Sequence, residues 1–196
     1  FSYCYNVLSN HGFSIEQVID LFAVNSRKII DVPFNALEKD KWQHIAGTYD
    51  GVTAKLYVNG NLVYVKDSVG FNIVASSNNL IIGSDHGGNG DFKGGIRDVR
   101  IWNVSRTNSE IVGAMTDELT GGEAGLVASY RFDEGSGSST VVDYSVNGND
   151  GVLSGIDVST QWKPVCKIEM SELVTVSSSV PMSLSSSAVS VDCKGE

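Results

Sequence analysis

Between Lys41 and Tyr64 the chain spells out consecutive strands and the turns that join them. Asn59-Gly60 separates Ala54-Lys55-Leu56-Tyr57-Val58 from Asn61-Leu62-Val63-Tyr64. An Asn-Gly pair between such runs is the strongest short-range hairpin signal, because a type I′ turn needs φ > 0 at both central residues. Upstream, Asp50-Gly51 supplies a second turn signal after Lys41-Trp42-Gln43-His44-Ile45-Ala46-Gly47-Thr48-Tyr49. The implied unit is a β-meander of antiparallel strands, which commits this part of the chain to a sheet. Counting outward from the turn pairs Val58 with Asn61 and Tyr57 with Leu62. On that count Tyr57 and Tyr64 lie near a diagonal on one face, a platform on which a sugar ring can stack.

The strand signal continues on both sides. Phe1 to Val7 and Gly12 to Val18 read as strands joined through Ser9-Asn10-His11-Gly12, and Leu21 to Val24 with Lys28 to Val32 form the next pair. Asn79-Leu80-Ile81-Ile82-Gly83 is a short apolar run of the kind expected for a buried strand. Phe92 to Asn103 alternates, but Ile96 is out of phase with Val99 and Ile101, and a β-bulge near Arg97 would repair the phase. Gly125 to Gly135 holds a further strand. One helix interrupts this pattern near 108–119. Thr107 and Glu110 form a capping box, Ile111, Ala114, Met115 and Leu119 make an apolar stripe, and Gly121-Gly122 is the stop.

A chain of 196 residues can form one sizeable core. Its formal charge of −9 argues against nucleic acid, whose affinity for proteins comes largely from Lys and Arg displacing counterions. The acidic residues are scattered, as on an ordinary solubilising surface. No apolar run approaches the roughly 18 residues a membrane-spanning helix needs. The chain opens on Phe1 rather than Met, which reads as a processed or partial protein.

Trp42-x-His44-Ile45-Ala46-Gly47-Thr48-Tyr49-Asp50-Gly51 followed by Leu56-Tyr57-Val58-Asn59-Gly60 resembles the laminin-G-like and pentraxin-like branch of the concanavalin A-like sandwiches. Trp102-Asn103-x-x-Arg106-Thr107-x-x-Glu110-Ile111 and Gly125-Leu126-Val127-Ala128-Ser129-Tyr130-Arg131-Phe132-Asp133-Glu134-Gly135 match further elements of that pattern. The resemblance implies an all-β, antiparallel jelly-roll sandwich. It also implies a non-catalytic recognition module outside the cell or on its surface, taking glycans or extracellular proteins. Trp42 falls where the family buries a tryptophan, and Trp102 is expected in the core as well. The family's opening strands are absent, and Phe1-Ser2-Tyr3 falls where its third strand belongs. An open sheet edge, a pairing site for another chain, would follow.

Several residues are candidates for chemistry. Asp143, Ser145, Asn147 and Asn149 place oxygen-bearing side chains at alternate positions, as a Ca²⁺ site of hard oxygens requires. The same composition equally suits side chains that cap their own turns, and related sandwiches often hold a structural Ca²⁺ near this segment. The loop Asp85-His86-Gly87-Gly88-Asn89-Gly90-Asp91 offers His86, Asn89 and Asp91 as a ligand rim, or is simply a long hairpin turn. Catalysis has no support: the Glu-x-Asp-x-x-Glu string of related sandwich glycosidases is missing, and the adjacent Asp133 and Glu134 would point to opposite faces of a strand. His44 belongs to the strand motif and reads as structural. Asn103-Val104-Ser105 is an N-glycosylation sequon.

The chain divides into a sandwich over 1–165 and a serine-rich tail over 166–196. Cys4, Cys166 and Cys193 lack metal or redox spacing. Cys166 and Cys193 flank the tail and can close it into a loop, which would stabilise by roughly 3 kcal/mol, or all three cysteines can be buried thiols. The tail reads either as a linker or, from Leu173-Val174-Thr175-Val176 and Ala188-Val189-Ser190-Val191, as a strand added to an open edge. On the second reading the protein is a structural subunit of an extracellular fibre or surface appendage.

Overall fold

A computed structural model describes residues 2–9, 37–38, 41–69, 79–84, 92, 94–159, 162, 165–169 and 190–194. The expected strands over 12–18, 21–24 and 28–32 lie outside them, as does the loop carrying His86, Asn89 and Asp91.

The elements are β1 (Ser2–Ser9), β2 (Trp42–Tyr49), β3 (Ala54–Val58), β4 (Asn61–Lys66), β5 (Gly94–Trp102), α1 (Asn108–Ala114), β6 (Leu126–Tyr130), β7 (Thr140–Val141), β8 (Gly151–Val152), β9 (Val165–Glu169) and β10 (Ser190–Lys194). Six of the strands form one sheet in the order β4-β3-β2-β1-β5-β6, with every pairing antiparallel. The expected meander is therefore present as β2, β3 and β4. Its second turn has Asn59 at φ 49° and Gly60 at φ 77°, the two positive angles the Asn-Gly pair implied. The first connection spans residues 50–53, where the Asp50 carboxylate accepts from the backbone N–H groups of Val52 and Thr53.

Gly60 lies beneath the helix. A Cβ there would stand 2.7 Å from Val112 Cγ2, and the Gly60 carbonyl accepts from Asn108 Nδ2 at 2.6 Å. Gly60→Val is expected to destabilise by about 2 kcal/mol, since it combines a disfavoured φ with a collision. A denaturant midpoint equal to the parent's would contradict this.

Register assigns the side chains to two faces. Ile45, Leu56, Val58, Val99, Ile101, Ala128 and Tyr130 share one face, and all are buried. His44, Ala46, Thr48, Tyr57, Arg100 and Trp102 occupy the other, also buried, with Ile111 of α1 clustering on Ala46 and Tyr57. The bulge expected near Arg97 is present: the β1–β5 register shifts between Cys4 and Asn6, and Asp98 adopts φ 55°.

Three expectations are corrected. The helix ends at Ala114 rather than near 119. Arg100, reaching up from β5, donates to the carbonyls of Ala114 and Asp117, so these acceptors are satisfied without another helical turn. Residues 79–83 are not a strand, and Leu80 and Ile81 are exposed, because an apolar run without a period does not specify its own burial. The tail strand β10 pairs with β9 in a separate two-stranded sheet, not with the edge of the six-stranded one. The chain forms two compact units, Phe1–Phe132 with Val142–Gly151, and Asp133–Val141 with Val152–Glu196. In the second unit the Trp162 indole donates to the Ser138 carbonyl at 3.0 Å and Gly137 N–H to Val158 O at 2.9 Å.

Candidate functional site

The tyrosine platform is not assembled. Tyr57 does pair with Leu62, but the β3–β4 register then shifts, and Tyr64 stands opposite Leu56 instead of Lys55. One extra residue in β4 reverses the facing of all that follows. Tyr57 is consequently buried under the helix, and Tyr64 is half-buried on the opposite face.

The Asp143 segment is a plug along the outer edge of β6. Asp143 Oδ1 accepts from the N–H groups of Ser129 and Ser145, and its Oδ2 accepts from Asn149 N–H and the Ser145 hydroxyl, all at 2.8 Å. Tyr144 N–H donates to Ser129 O, while Ser145 Oγ, Asn147 Nδ2 and Asn149 Nδ2 all donate to Val127 O. The segment makes a single bridge to β6, Asp143 to Tyr130, and then bends and turns, so that the side chains of Ser145, Asn147 and Asn149 converge on one β6 carbonyl. Burial alone would raise the Asp143 pKa, but the donors from Ser129, Ser145 and Asn149 outweigh it and hold the carboxyl below its ordinary value. No cluster of three His, Cys, Asp or Glu able to hold a metal occurs among the described residues.

Between sheet and helix lies a small cavity enclosing about 10 Å³, lined by His44, Trp102, Arg100 and residues of the helix. That is roughly the room of one water. His44 Nδ1 and Trp102 Nε1 are both buried without a hydrogen-bond partner. Burial first, and the Arg100 charge second, push the His44 pKa down to about 4. His44 is therefore neutral in the folded protein, whereas unfolded it titrates near its ordinary 6.5. Below that value the unfolded chain binds the extra proton, so this contribution to stability is complete above pH 6.5 and declines as pH falls toward 4. We expect a loss of roughly 2–3 kcal/mol across that window, absent in His44→Gln. Identical pH profiles for the two proteins would contradict it.

The surface feature that the strand motif conceals is Trp42. As the first residue of β2 it lies at the end of the sheet, opposite Leu8, and it is 44% exposed rather than core. Arg97 from β5 holds its guanidinium carbon 4.8 Å from the centre of the indole ring. Among the described arginines, Arg100, Arg106 and Arg131 each meet a carboxylate, of Asp98, Glu110 and Glu118, but Arg97 meets none and its buried Nε has no partner. An open aromatic face beside an uncompensated cation is thus present on a chain of net charge −9.

Comparison with known proteins agrees with the architecture. Residues 21–112 match the model of the concanavalin A-like lectin/glucanases superfamily. The fold is that of an antiparallel, concanavalin A-like β protein with one short helix. A solved chain from Bacteroides ovatus, proposed to bind carbohydrate, superposes with a TM-score of 0.58 at 21% identity, over 77% of this chain and 51% of its own. Mouse Pappalysin-1 is 36% identical over 78 residues, which are 38% of this chain and 5% of that protein. The chain thus spans about half of the first and a small part of the second. Trp42 and Arg97 both lie inside the matched residues. No helix among the described residues is long and apolar enough to cross a membrane.

Proposed function

We propose that the protein is a non-catalytic, extracellular carbohydrate-binding module whose sugar contact is built on Trp42 and Arg97. The observation that carries this reading is the half-exposed Trp42 ring with Arg97 poised over it and lacking a carboxylate of its own. The C–H face of a pyranose packs on an indole as other apolar groups do, and a guanidinium pairs bidentately with a carboxylate. The arrangement therefore favours a sugar that bears a carboxylate over its neutral counterpart. The concanavalin A-like architecture and the Bacteroides ovatus neighbour support the coarser part of the reading. Asn103, exposed just after β5, is the proposed attachment point of an N-linked glycan.

A glycan array on the purified chain, followed by titration of the best ligand, tests the proposal. Trp42→Ala is expected to weaken binding by about 10- to 100-fold, the loss of one aromatic contact. Arg97→Gln should remove the preference for the acidic sugar and most of the salt dependence. Unchanged affinity in both variants would place the site elsewhere, and an array without binders would defeat the carbohydrate reading.

A further inference from the structure

β9 and β10 are antiparallel, five residues each, and their register is Val165 to Lys194, Cys166 to Cys193, Lys167 to Asp192, Ile168 to Val191 and Glu169 to Ser190. The two cysteines thus stand on the same rung. In any antiparallel pair, directly opposed residues have Cα atoms about 4.5 or 5.5 Å apart, depending on whether the rung is hydrogen-bonded. A disulfide accepts Cα separations of about 4.4–6.8 Å. Both kinds of rung fall within that Cα range. Cys4 does not compete on these grounds: it occupies a central rung of the six-stranded sheet, between Ala46 and Arg100, both of which are buried.

A second argument concerns what holds the rungs together. An isolated two-stranded hairpin is marginal in water, and this one is closed by the long serine-rich connection 170–189 rather than by a tight turn. A covalent link removes the closure cost from the folding step, because the ends are already joined in the unfolded chain.

We propose that Cys166 and Cys193 form a disulfide that makes the tail a covalently closed hairpin, formed in an oxidising compartment and independent of the sugar site. The chemistry is thiol–disulfide exchange with a low-molecular-weight disulfide such as oxidised glutathione. The thiolate of one cysteine attacks a glutathione sulfur, forming a mixed disulfide and releasing one glutathione thiol. The second cysteine, as thiolate, attacks the protein sulfur of that mixed disulfide and releases the other. Two protein thiols are oxidised, one glutathione disulfide is reduced to two thiols, and the two protons that the protein thiols lose are taken up by the released glutathione thiolates. The closed hairpin keeps β10 engaged with β9, so this strand is not available to complete the sheet of another chain.

The full chain, equilibrated with oxidised glutathione under native conditions, is then alkylated and digested without reduction. The expected result is a single cross-linked peptide pair carrying Cys166 and Cys193, lost on reduction, with the titratable thiols falling from three to one. Cys4→Ser should leave no titratable thiol after the same treatment, and Cys193→Ser should leave glutathione attached at Cys166. Three persistent thiols in the parent, or a cross-link that includes Cys4, would overturn the proposal. Should the parent precipitate on oxidation, the Cys4→Ser protein decides: thiols that remain reactive overturn the pairing, and their absence with the mapped cross-link establishes it.

Discussion

Replacing Asp143 by alanine is expected to cost about 3–5 kcal/mol, a large share of the roughly 5–15 kcal/mol that stabilises a typical domain. The carboxylate is buried and accepts four hydrogen bonds, three of them from backbone N–H groups. Alanine offers those donors nothing, and the segment blocks easy replacement by water. The seal is close elsewhere too: a Cβ on Gly121 would lie 2.1 Å from the Tyr144 carbonyl oxygen, so the chain passes there only with glycine. Asn147→Ala makes the control, with an expected cost of about 1 kcal/mol or less, since Val127 O keeps Ser145 and Asn149 as donors. Urea unfolding of both variants is the measurement, and equal midpoints would refute the plug. Acid adds a check of sign. A carboxyl held below its ordinary value stabilises the fold above that value, and the contribution disappears as pH falls through the lowered one. Calcium, the other chemistry compatible with these residues, would have to take Asp143 oxygens from these donors. If it does so, EDTA lowers the melting temperature and added Ca²⁺ restores it.

Arg100→Met should cost on the order of 3 kcal/mol, because it removes a buried guanidinium that makes four hydrogen bonds, two of them to the partly exposed Asp98 carboxylate. Arg100 is almost completely buried, binds both oxygens of Asp98 at 2.7 and 2.8 Å, and donates to the carbonyls of Ala114 and Asp117. Loss of the fork therefore takes both guanidinium donors from the Asp98 carboxylate and the donors from the Ala114 and Asp117 carbonyls at once. Arg100→Lys restores the charge but not the planar fork, and it is expected to recover only part of the loss. The helix should fray in the methionine variant, with weaker amide protection over 108–114. The histidine gives an independent readout. With the Arg100 charge gone, the His44 pKa should rise from about 4, since that charge is one of its depressing causes. An imidazole titration unchanged by Arg100→Met would mean that burial alone sets it.

Local chemistry carried much of the architecture. The Asn59-Gly60 turn, the capping box of Thr107 and Glu110, the bulge near Arg97 and the strand at 126–130 each follow from residues close together in the chain. Turn angles, caps and alternation are properties of a few neighbouring residues, so they are legible before anything folds.

The site was legible only in fragments. Trp42 stands in a motif that implies burial, and its exposure depends on being the last rung of a sheet whose other strands come from far along the chain. Arg97 reaches it from β5, and no spacing between residues 42 and 97 announces that contact. Tyr57 and Tyr64 went the other way, because one extra residue in β4 turned them to opposite faces. The polar residues at 143, 145, 147 and 149 suit either a cation or a turn folded onto a strand, and only the neighbouring β6 backbone tells which partner they meet. By itself, then, the sequence determined the strands, their turns and the polar pattern, all of which are short-range. Tertiary structure decided which aromatic ring stays open, which arginine lacks a carboxylate, and which cysteines share a rung, because each depends on a register set between strands distant in the chain.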